Sequence, residues 1–156
     1  MLTQVGQPAL LQILPLLLLV NVGLVAGAAA QTQADTARFV GKIGEAAGAY
    51  VTAAMMIDAY RARGCGDLYR EAPTSQDVLR EIKTNLPPAL HGRLDAELPS
   101  MTADGRRVAA QLFDAAASKG IDNRATCGLS VGASWPLFKQ ARDDWRRIAP
   151  AARQLR

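Results

Sequence analysis

The first thirty residues carry no charged side chain, and within them Ala9 to Ala30 form an almost unbroken apolar run, ALLQILPLLLLVNVGLVAGAAA, ending at polar Gln31-Thr32-Gln33. A leucine-rich stretch that closes on small residues is the pattern of a cleaved secretory signal peptide. Ala28 and Ala30 stand where a signal peptidase reads before cutting ahead of Gln31. Residues 1–30 are then leader, and residues 31–156 are the folding unit, a length that suits one domain with a single core. The alternative is an inner-membrane anchor through residues 9–30, since about 20 apolar residues span a bilayer. The first basic residues, Arg38 and Lys42, follow the run, flanks that would leave an anchored protein in the cytoplasm. Gln12, Pro15, Asn21, Gly23 and Gly27 soften the run and weigh for cleavage. The expected location is periplasmic or secreted, with no stable membrane insertion after cleavage.

Every charged residue lies in the expected mature part, unevenly. Residues 139–156 hold Lys139, Arg142, Arg146, Arg147, Arg153 and Arg156 against Asp143 and Asp144, which alone equals the chain's net charge of +4. A solvated helix face accounts for so modest an excess. The functional alternative is a contact surface for an acidic partner in the cell envelope, chiefly Arg142, Arg146 and Arg147.

Cys65 and Cys127 are the only cysteines, each beside glycine. In an exported chain such a pair is most simply a disulfide. A redox motif would need a second cysteine close in sequence, and neither has one.

Apolar residues recur at helical spacing nearly throughout, and no run alternates as a strand would. A first helix is expected from Ala34 to Arg63, with Gly64 as C-cap and Phe39, Ile43, Ala47, Tyr50, Ala54 and Ile57 on one face. Gly41, Gly44 and Gly48 line the other. That stripe reads as a packing face, against a neighbouring helix or, in a homodimer, against a second copy. Thr74 or Ser75 caps a second helix with Val78, Leu79, Ile82 and Leu86 inward. A short third helix carries Leu90, Leu94 and Leu98 and stops at Pro99, and Thr102 caps a fourth that closes at Gly120. Gly128 to Gly132 reads as a loop, with Ser134 capping a last helix that buries Phe138, Ala141, Trp145 and Ile148. The expected fold is all-α, an irregular four- to five-helix bundle stapled by one disulfide.

Several strings imitate chemistry. Gly128-Leu129-Ser130-Val131-Gly132 matches the nucleophile elbow G-x-S-x-G, but no strand precedes it, and the sole histidine, His91, comes before the serine instead of after it. His91 could pair with Asp95 four residues on, an ordinary surface contact. One histidine and two paired cysteines make no zinc set. There is no haem-attachment or phosphate-loop motif. Carboxylates such as Asp58, Asp67, Glu71, Asp95 and Glu97 mostly have an arginine nearby and read as salt-bridge partners. No catalytic residue, metal, cofactor or nucleic acid is therefore expected. The densest group of polar aromatics and arginines, Tyr60 to Arg70, offers Tyr60, Arg63 and Tyr69 as partner-binding residues, because Tyr and Arg favour interfaces; the plainer reading, and the one preferred, makes Tyr60 and Tyr69 half-buried core tyrosines with their hydroxyls at the surface. The expected function is binding of an envelope protein, by analogy with small helical inhibitors and immunity proteins. The alternatives are a carrier or sensor of a small apolar ligand held near Met55, Met56 and Leu112, and an envelope enzyme.

Overall fold

The computed structural model describes residues 14–155, with side chains from Gln33 to Gln154. The chain divides into two units, Met1–Val40 and Gly41–Arg156. The expected leader and its cleavage point lie outside the residues whose side chains are described. Among those residues no helix is long and apolar enough to cross a membrane. In the first unit the described backbone is helical from Leu14, and Arg38 pairs with Asp35 at 3.9 Å.

Four α-helices and short helical turns make up the described residues, with no strand among them. Helix α1, Leu14–Tyr60, begins earlier than the expected Ala34, because nothing from Leu16 to Tyr60 breaks a helix except isolated glycines. It ends at Tyr60, three residues before the expected Arg63, and the expected Gly64 lies in the wider turn that follows. A wide turn over Arg61–Cys65 brings Gly64 to φ +94°, a left-handed conformation that glycine adopts without steric cost.

Helix α2, Ser75–Asn85, starts at a capping box: the Thr74 hydroxyl accepts from the Asp77 N–H, and the Asp77 carboxylate accepts from the Thr74 N–H. The Thr74 hydroxyl, which lies 2.7 Å from the same carboxylate and can donate to it, and the Thr74 N–H, with Arg80 adding, hold the Asp77 carboxyl below its ordinary pKa. Val78, Ile82 and Leu86 are buried, and Leu86, extended ahead of Pro87, ends the helix.

Helix α3, His91–Ala117, runs through Pro99, where two helices were expected. Pro99 and Asp95 are both exposed, a setting in which water can satisfy a carbonyl that loses its amide partner. Thr102 caps nothing and donates to the Leu98 carbonyl at 2.8 Å. The helix closes as expected at Gly120 (φ +70°) in a Schellman turn, Ile121 N–H to Ala116 O and Gly120 N–H to Ala117 O.

Helix α4, Asn123–Ala152, corrects the expected loop at Gly128 to Gly132. Its N-cap is Asp122, whose carboxylate accepts from the Ala125 N–H at 2.8 Å, and not Ser134, which lies mid-helix and fully buried. Tertiary packing of Cys127, Ser130, Ser134, Phe138, Ala141 and Trp145 on one face outweighs the roughly 1 kcal/mol cost of each interior glycine.

The core forms where α1 meets α4. Ile43, Tyr50, Val51 and Ile57 of α1 and Phe138 and Trp145 of α4 are all at most 1 % exposed, and the Tyr50 and Phe138 rings lie 5.5 Å apart. The Trp145 indole N–H is buried without a hydrogen-bond partner among the described residues.

Within the chain, the close glycine contact lies outside the expected stripe. A Cβ on Gly41 or Gly44 would meet nothing within 4 Å, and one on Gly48 only the flexible end of Met101. On Gly105 of α3 it would come within 3.2–3.3 Å of the Met55 and Met56 backbone, so this is where two helices cross closely. Gly105→Leu is therefore expected to destabilise the protein by about 1–3 kcal/mol through overpacking. Gly44→Ala should raise stability by about 0.5–1 kcal/mol. Urea unfolding measures both, and a Gly105→Leu variant as stable as the parent would remove the crossing.

Candidate functional site

The end of α1 is tied to the start of α4. Cys65 and Cys127 form the expected disulfide, Cα atoms 5.3 Å apart. Around it the intervening turn is fixed by side chains. Arg61 pairs with Asp58 at 2.6 Å and donates to the carbonyls of Tyr69 (2.8 Å), Ala72 and Pro73 (3.4 Å). Three carbonyls of an irregular segment and one carboxylate thereby converge on one planar donor fork. The second oxygen of Asp58 accepts from the Ser75 N–H at 2.9 Å, holding the start of α2 in place.

Below the turn, the Tyr69 ring stacks on Tyr60 (6.0 Å between centroids, 9° between planes). Its hydroxyl lies 2.9 Å from Ser130 Oγ and 2.8 Å from Ser134 Oγ. Ser130 in turn donates to the Cys127 carbonyl and Ser134 to the Ser130 carbonyl, both at 2.7 Å. Three hydroxyl protons serve four contacts, so the buried cluster keeps one contact without a proton at any moment. G-x-S-x-G is thus a helix segment whose serine anchors a tyrosine.

The fixed turn projects Leu68 outward, 53 % exposed. Beside it lies an open groove of about 410 Å³ lined by Asp67, Leu68, Arg70 and Glu71 of the turn and by Val131 and Trp135 of α4. Half-buried Trp135 stacks on Phe138 at 5.7 Å and carries Lys139 Nζ 5.5 Å from its ring centroid. Arg70 and Asp67 pair at 3.5 Å on the rim.

The residues expected to bind a partner are dispersed. Tyr60 (2 % exposed) and Tyr69 (0 %) are core residues, and no partner can reach them. Their rings close the corner below the disulfide. Arg63 is exposed, its guanidinium 5.5 Å over the Phe113 ring. The basic face of α4 is internally paired: Arg142 with Asp143 (3.0 Å), Arg147 with Asp144 (2.9 Å) and Arg146 with Glu81 of α2 (4.0 Å). Leu68 and Trp135, which sequence reasoning passed over, form the apolar part of the surface. Leu68 stood within the polar Tyr60–Arg70 stretch, the one signal that pointed there.

His91 does not pair with Asp95. Its Nε2–H reaches the Lys83 and Leu86 carbonyls at the end of α2, and Asp95 pairs with Lys83 at 2.5 Å. Among the described residues no group of three or more His, Cys, Asp or Glu could hold a metal ion. Comparison with protein-family models, curated proteins and solved structures finds no match to this chain.

One titration is set by the α1–α2 contact. Burial pushes the Tyr50 phenol up to about 12, reinforced by Glu81, which accepts its hydrogen bond at 3.3 Å, and opposed by Arg146 and Arg142. Burial also raises Tyr60, with Tyr69 adding to the effect. A neutral phenol favoured by folding contributes fully below the unfolded pKa near 10 and is lost as the pH rises through about 12. Urea midpoints should therefore fall between pH 9 and pH 11. The fall should be smaller, but not abolished, in Tyr50→Phe, since Tyr60 remains; an identical fall in the variant would contradict the assignment.

Proposed function

We propose that this chain is an exported binding protein that engages a protein partner through the groove beside the Cys65–Cys127 disulfide. The observation that carries the reading is Leu68, more than half exposed on a turn that a disulfide, an arginine fork and a buried tyrosine hold in place. An apolar side chain fixed on a rigid turn loses little conformational entropy when covered, so more of its burial is retained as affinity. Trp135 beside it is of the type that dominates interface energetics, and Arg70, Asp67, Glu71 and Lys139 supply a polar surround of both signs.

The paired arginines of α4 are the weaker candidate, because a partner would first have to displace Asp143, Asp144 and Glu81. Binding is preferred to catalysis because Asp58, Asp67 and Asp95 each lie within 3.5 Å of an arginine or lysine, and Ser130 is sealed in the core. Export rests on the leader pattern and on a disulfide, which persists in oxidising compartments.

Photo-crosslinking in the producing cell tests the proposal. Benzoylphenylalanine at position 68 should give one adduct of defined mass, and the same group at exposed Gln76 on α2 should give none. The chain within the adduct should begin at or near Gln31. Equal adducts at both positions, or none at 68, would count against this surface.

A further inference from the structure

A second cavity, lined in part by the Asp58 that pairs with Arg61, has a different chemistry. It is an open pocket of about 460 Å³ among α1, the turn after it, the first turn of α2 and α3, lined by Met55, Asp58, Ala59, Ala62 and Arg63, by Ser75, and by Thr102, Arg106 and Ala109. That volume lies in the range of small-molecule sites. Its apolar floor is Met55 and the three alanines, with Met55 9 % and Ala109 1 % exposed.

The charges around that floor do not cancel. Asp58 is committed on both oxygens, to Arg61 and to the Ser75 N–H. The Thr102 hydroxyl is turned to Leu98 O and Met55 Sδ. Arg63 and Arg106 make no ion pair among the described residues, although neighbouring Arg61 and Arg107 each have one. Phe113 holds Arg63 by its ring face, which leaves all five of its N–H donors without a carboxylate. Two arginines without an ion pair among the described residues thus line one cavity together with Met55 and three alanines.

We propose that this cavity binds a small amphipathic organic anion, its carboxylate between Arg63 and Arg106 and its short hydrocarbon chain against Met55, Ala59, Ala62 and Ala109. Guanidinium donates paired hydrogen bonds to a carboxylate, and neither group pays to break an existing ion pair. The apolar floor selects against fully polar anions, because bare phosphate would leave it uncovered.

Titration calorimetry on the full chain with sodium octanoate, octanol and inorganic phosphate tests this. Octanoate should bind at one saturable site, at least about tenfold more tightly than octanol or phosphate. Arg63→Gln and Arg106→Gln should each weaken it about tenfold, and Arg124→Gln, at an exposed position on α4 outside the cavity, should not. Thermal unfolding alongside establishes that the variants remain folded. Octanol binding as tightly as octanoate, phosphate binding as tightly, or octanoate affinity unchanged in both cavity variants would each overturn the proposal. None of these outcomes bears on the Leu68 groove, which shares no residue with this cavity.

Discussion

The bond between Cys65 and Cys127 joins the end of the first helix to the first turns of the last, across 62 positions, with the whole of α2 and α3 in the loop it closes. On the chain-entropy account, closing a loop of that length is worth about 4 kcal/mol. A domain of this size is stable by only about 5–15 kcal/mol. The turn from Gly66 to Thr74 depends on that closure, because Arg61 organises its carbonyls from the α1 side and Ser130 and Ser134 hold Tyr69 from the α4 side. Both candidate surfaces follow from it. The Leu68 groove spans the turn and α4, and the anion cavity shares Asp58 with the arginine fork.

Polar side chains inside helices carry unusual weight here. Ser130 and Ser134 would ordinarily favour caps or turns because their hydroxyls compete for backbone groups. In α4 they bond back to helix carbonyls and still receive Tyr69, so a short polar face becomes a docking point for an irregular segment. His91 does the same for α2, closing the Lys83 and Leu86 carbonyls where Pro87 prevents the helix from continuing.

Local signals were legible where the physics is local. Gly64, Thr74, Gly120 and the Val78, Ile82 and Leu86 stripe could be read from a cap, a positive φ or a period, and the cysteines from their number and context. Pro99 and Gly128 to Gly132 misled because each is a breaker by propensity, and exposure of the proline and packing of the alternate face of α4 overrode it. The candidate site was harder. Arg61 and Arg63 are two residues apart in the same Arg-Ala-Arg string, yet a helical turn sends them in nearly opposite directions, one into a carbonyl cluster and the other to a cavity rim. Likewise Gly44 and Gly105 are equally glycine, and only the approach of the Met55 backbone tells them apart. Tyr60 and Tyr69 were plausible contact residues until the disulfide and serines placed them inside.

Thermal unfolding of the oxidised protein against the same protein with Cys65 and Cys127 reduced measures that dependence directly. Loss of about 4 kcal/mol from a domain of this size should lower Tm by about 10–20 °C. A reduced protein that melts within about 2 °C of the oxidised one would be well below that shift and would show that the helices, the turn and Leu68 are held without the cross-link.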